Sequence, residues 1–178
     1  AMDSRALSEI PIDPDWIAYH IRRYLDSLEL LSLTIDGVAA HAAANTGAEH
    51  ARPLQDKMED VWRRSYIYQL SPIVLLEFLT EHIEYGALRA IYKAIQDNYH
   101  IGRSVPKLLR HTKNRYNREI HRQCMQAAQA LMHRDPEAFA KEAADMFRYT
   151  HRLILAQCKR WGYWQPAMRV YDGSLLWK

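Results

Sequence analysis

The residues of this 178-residue chain whose types could do chemistry are nine histidines, two cysteines and one basic run. The histidines stand at 20, 41, 50, 82, 100, 111, 121, 133 and 151. A helical metal site would set two of them three or four residues apart on one face, and no pair has that spacing. His82, His121 and His151 fall on inward-facing stretches, where only tertiary folding could bring them together. Such histidines are more often hydrogen-bonded residues at the edge of a core. No Glu precedes a His by three residues, which excludes the inward Glu-x-x-His pairs of a di-iron bundle. Cys124 and Cys158 form no CxxC pair and read as small core residues. The chain has no Gly-rich phosphate loop, GxSxG turn or HExxH motif, and no nucleophile is matched with a base. The expectation is a protein that is not an enzyme and carries no cofactor.

Charge is divided along the chain. Residues 1–89 carry eight Lys and Arg against fourteen Asp and Glu, and residues 90–178 carry sixteen against seven. The excess peaks at Arg103, Lys107, Arg110, Lys113, Arg115, Arg118 and Arg122, with Glu119 the one acid among them. A solvated helix face explains this run more simply than a nucleic-acid or phosphate surface, although Arg103, Lys107 and Arg110 have the helical spacing of an anion site.

The elements that must position these residues are helical. Six glycines in a chain this long argue against turn-dense sandwiches and barrels. Asp13-Pro14-Asp15 is a helix start, with a capping Asp, a Pro at the first position and acid near the positive end of the dipole. Ile17, Ile21, Tyr24, Leu28, Leu31, Ile35, Val38 and Ala42 follow in steps of four and three, a heptad-like stripe ending before Asn45-Thr46-Gly47. Leu25, Leu30 and Leu33 widen its apolar surface, so this helix calls for partners on several sides. A second helix is expected over about 48–70, with Leu54, Met58, Val61, Trp62 and Ser65 inward. Ser71-Pro72 restarts the chain into Ile73, Val74, Leu75, Leu76, Phe78 and Leu79, apolar all round. Beyond Gly86 comes the stripe Leu88, Ile91, Tyr92, Ile95 and Tyr99, interrupted at Ile101-Gly102-Arg103 with Ser104 and Pro106. A further helix is expected over about 112–133, and Asp135-Pro136-Glu137 opens the last. The aromatic tail from Trp161 to Lys178 suits the bundle end or a ligand lid. These signs describe one all-α domain, an antiparallel bundle of about six to seven helices, with residues 1–13 as leader. Two cysteines, no signal peptide and no apolar stretch long enough for a membrane span point to a reduced, cytoplasmic chain.

The order of segments is similar to the C-terminal ligand-sensing domain of FadR-type GntR transcription regulators. The first helix ends in Val38-Ala39-Ala40-His41-Ala42-Ala43, and Ala127 to Phe147 reads AAQALMHRDPEAFAKEAADMF. That stretch resembles the family's His, apolar pair and Ala before an Asp-Pro-Glu that opens the last helix. The run Thr80 to Ile91 resembles its second landmark, and the likeness extends over about Pro14 to Leu155. The resemblance implies a homodimer, a small carboxylate or acyl effector, and DNA contact only through a winged helix. That domain is absent from this chain. It is expected upstream of Met2, where Ala1 reads as an addition, unless the natural chain lacks it.

Many family members hold a metal. The corresponding positions here are Pro72, Leu76, Cys124 and Met146, which would not build an N/O metal site, although His121 lies about one turn from the third. Leu28 replaces the family's Arg. The resemblance therefore implies a metal-free apolar pocket. Leu76, Cys124 and Met146 are its candidate walls, Tyr92, His121 and Tyr149 its polar contacts, and Arg103 or Lys107 the partner of an anionic head group. A helical interaction module without ligand and a TetR-type effector domain are the alternatives.

Overall fold

The computed structural model describes residues 14–64, 70–103 and 114–160. Among them six α-helices form a bundle without strands: α1 Pro14–Ala44, α2 Ala51–Arg64, α3 Leu70–Glu81, α4 Gly86–Arg103, α5 Asn114–Met132 and α6 Pro136–Arg160. A 3₁₀ turn, Ala48–His50, leads into α2. No described helix is long and apolar enough to cross a membrane.

The stripe on α1 does what its spacing requires. Ile21, Tyr24, Leu28, Leu31, Ile35, Val38 and Ala42 are all buried, between α4 on one side and α6 on the other. Ser27, Ser32 and Thr34 sit on this helix by returning their hydroxyls to the carbonyls of Arg23, Leu28 and Leu30, each at 2.8 Å. Of the residues expected to widen the apolar surface, Leu25 is buried, whereas Leu30 and Leu33 remain 39% and 73% exposed. Within one chain, α4 and α6 leave that edge of α1 uncovered.

Helix α3 is apolar all round because it is the hub. It touches each of the other five described helices, and Ile73, Val74, Leu75, Leu76, Phe78 and Leu79 are all buried. Helix α2 is shorter than the expected second helix. Leu54 and Met58 are buried and Val61 and Trp62 half-buried, while Ser65 lies outside the described residues. On α4, Tyr92, Ile95 and Tyr99 are buried and Ile91 is exposed. The expected interruption at Ile101-Gly102-Arg103 falls where α4 ends, at Arg103, while Ser104 and Pro106 lie outside the described residues. Gly102 itself stays within the last described turn, since a helical glycine costs only about 1 kcal/mol.

The turn between α5 and α6 follows its sequence closely. Asp135 N–H donates to the Ala130 carbonyl and Arg134 N–H to that of Leu131, both at 3.0 Å, a Schellman closure of α5. Arg134 takes the left-handed conformation, φ 57°, that glycine usually supplies there. Asp135 Oδ1 then accepts the Ala138 N–H at 2.9 Å and caps α6. Across the α1–α6 seam, Arg148 pairs with Asp36 and donates to the Ser32 carbonyl at 3.2 Å. His151 lies 3.4 Å from the Ser32 hydroxyl and 3.6 Å from Glu29.

Candidate functional site

Two of the predicted wall residues meet around a tyrosine. Tyr99 projects from α4 into the interior, with its ring edge-on to Tyr24 of α1 at 5.1 Å and to Phe147 of α6 at 6.3 Å. Burial pushes its hydroxyl well above the ordinary phenol range, and neighbouring Tyr24 and Cys124 push in the same direction. Cys124 of α5 is fully buried, and burial likewise raises its thiol. Thr150 of α6 also faces Tyr99 and donates to the Met146 sulfur at 3.7 Å. Tyr99, Tyr24, Cys124, Thr150 and Met146 thus form one cluster, contributed by α1, α4, α5 and α6. All five are fully buried.

The other predicted residues are distributed elsewhere. Leu76 is buried in the hub helix, where its carbonyl accepts the Thr80 hydroxyl at 2.7 Å. The Tyr92 hydroxyl lies 2.9 Å from Thr34 in the α1–α4 seam, and burial pushes its pKa up to about 12. Tyr149 is half-buried against the core. His121 has its own niche, stacked on Trp62 with ring centres 4.5 Å apart and with Nδ1 2.7 Å from the Ser71 hydroxyl. Burial lowers its pKa, opposed by the nearby Glu59 carboxylate. Arg103 closes the last described turn of α4, but its side chain lies outside the described residues, as do Lys107, Arg110 and the aromatic tail. Of the basic run, Arg118 is exposed and Arg122 is paired with Glu119.

The three inward histidines do not converge. His121 faces Trp62 and Ser71, His151 faces Ser32 and Glu29, and the His82 ring lies against Phe78 and His50. Among the described residues, no group of three or more His, Cys, Asp or Glu is arranged to hold a metal.

One functional candidate does not emerge from the sequence reading. Asn117 is 4% exposed, and both its amide nitrogen and its carbonyl oxygen lack a hydrogen-bond partner. The Tyr99 hydroxyl is also buried, facing the side chains of Tyr24 and Thr150. Asn117 stands three residues before Ile120 and seven before Cys124, on the same buried stripe of α5. The available signal was therefore a polar residue on an apolar face. An unpaired buried amide costs on the order of 1–3 kcal/mol, so a group in this position calls for a partner such as an ordered water or a ligand. The buried polar side chains of the described residues are Ser27, Ser71, Thr80, Gln96, Asn117, Thr150 and His151, with no Lys, Arg, Asp or Glu among them.

A recess about 540 Å³ in volume opens near the C-terminal end of α5. It lies between the end of α1 and the α5–α6 turn, bordered by Ala44, Asn45, Gly47, Leu131, Arg134 and Asp135. Its polar residues already serve the backbone: Thr46 donates to the Ala42 carbonyl at 2.6 Å and Asp135 caps α6. No protein-family model, curated protein or solved structure matches this chain.

Proposed function

We propose that this chain is the effector-binding and dimerisation domain of a GntR/FadR-type transcription regulator, with a small acyl or carboxylic compound bound in the metal-free interior of the bundle. The observation that supports the reading is Asn117, buried with both polar atoms of its amide unpaired on the same stripe of α5 as Cys124, which belongs to the cluster around Tyr99. A ligand with an apolar body and a polar end would fill those valences, as it does in mostly apolar pockets with a few orienting groups. Because the cluster draws on α1, α4, α5 and α6, a ligand that binds one arrangement of these helices more tightly than another would shift their relative positions. Such a shift can be passed to a DNA-binding domain.

The dimer surface in this reading is the open edge of α1 with the adjoining face of α4, where Leu30, Leu33 and Ile91 are exposed. Burying them in a two-fold interface would remove apolar surface that a single chain leaves in water. The test is a melting-temperature screen of acyl compounds with and without EDTA. A rise with ligand that EDTA leaves unchanged is the expected result, and stabilisation that depends on added metal would refute the metal-free site. The same exposed edge also suits a helical interaction module with no ligand. In that case no acyl compound would shift the melting temperature, while Leu33→Glu would abolish self-association.

A further inference from the structure

Building on the dimer surface of that reading, we infer that two copies of this chain pair through α1 laid antiparallel on the partner's α1, about a two-fold axis passing between Leu30 and Leu33. Opposite its core stripe, α1 carries a second line of residues in steps of three and four: Arg23, Asp26, Leu30, Leu33, Gly37 and Ala40. This is the spacing of a helix–helix seam. Ala40 is half-buried and the other five are exposed, with Leu33 73% open to solvent. Gly37 belongs to the same line. A Cβ there would meet nothing within 4 Å, so the single chain gives no reason for a glycine that weakens the helix. A second backbone approaching closely does give one.

Charge selects between the two orientations that a two-fold axis allows. Arg23 stands seven residues before Leu30, and His41 stands eight residues after Leu33 with Glu84 3.9 Å from its ring. Glu84 is exposed, as is Tyr85, whose ring lies against His41 at 5.2 Å. A parallel pair would set Arg23 on the partner's Arg23 and Glu84 on the partner's Glu84. An antiparallel pair packs Leu30 on the partner's Leu33, places Asp26 opposite the partner's Gly37, and carries Arg23 to the partner's Glu84 and Tyr85. Arg23 and His41 share the edge of α1 that also holds Ser27 and Thr34, which bond to Asn98 and Tyr92 of α4. The antiparallel axis lays that edge against its own copy, so each opposite-charge contact forms twice. Such rim charges fix orientation and register more than affinity.

The test is sedimentation equilibrium of the full chain at low salt, for the wild type, Arg23→Glu, Glu84→Arg and the double variant. The wild type should dimerise, and either single reversal, which brings like charges together twice, should weaken the dimer by roughly tenfold. The double variant restores opposite charges and should recover to within about threefold of the wild type. Gly37→Leu, which the single chain has room for, should also weaken the dimer. A dimer indifferent to both single reversals, or a double variant no tighter than the singles, would overturn the antiparallel seam while leaving a dimer surface that Leu33→Glu still disrupts. A wild-type chain that stays monomeric would overturn the seam and the dimer surface together.

Discussion

The two ends of α5 treat polar groups in opposite ways. At its C-terminal end the chain turns through Arg134 and Asp135, whose backbone N–H groups reach the Leu131 and Ala130 carbonyls while the Asp135 side chain caps α6. Near its N-terminal end, Asn117 is buried with neither half of its amide paired. The first arrangement is what stability alone selects. The second costs stability, and it lies on the same stripe as Cys124 and the cluster around Tyr99. The contrast separates a part of this bundle whose polar groups build the fold from a part whose polar groups are left unpaired.

Substitutions sharpen that contrast. The largest effect should come from the shared core. Phe147→Ala removes a fully buried ring that lies edge-on to Tyr99, and should lower the unfolding free energy by about 3–5 kcal/mol in urea titrations. Asn117→Leu should act in the opposite sense and raise stability by about 1–2 kcal/mol, because it replaces an unpaired amide with an apolar group of similar size. At the other end of α5, Asp135→Ala should cost about 1 kcal/mol through loss of the cap. Arg134→Gly should gain somewhat less than about 1 kcal/mol by relieving a left-handed non-glycine residue. Equal and unfavourable effects at both ends would erase the distinction.

A smaller effect should appear with pH. Burial lowers the pKa values of His121 and His151 in the folded chain, so the unfolded chain binds protons more readily. Their contribution is complete above the ordinary histidine range and is lost as the pH falls through the depressed folded values. The urea midpoint should therefore decline between pH 7.5 and pH 5.5, and less steeply in His121→Gln. A midpoint that rises on acidification would contradict the burial of these rings.

Much of the fold was legible because periodicity reports burial. The α1 stripe, the all-round apolar α3 and the Asp135-Pro136 start each correspond to a described element. What escaped depends on neighbours that a sequence does not display. Leu33 has the same hydrophobicity as Leu31, yet it faces outward, because none of the described helices covers that edge of α1. Of the residues whose types suggest a pocket, Cys124 and Met146 fall in one buried cluster with Tyr99 and Thr150, while Leu76, Tyr92 and His121 turn to separate seams. Asn117 escaped because an asparagine near a helix start reads as local backbone chemistry. Only the fold reveals that its amide is buried and unpaired.

The most direct test of the central claim is the melting temperature of the wild-type chain and of Asn117→Leu, each with and without the acyl compounds of the screen. Without ligand the variant should melt higher than the wild type, and a stabilising acyl compound should raise the melting temperature of the wild type alone. A variant that melts lower without ligand, or one stabilised as much as the wild type, would contradict a ligand site at Asn117.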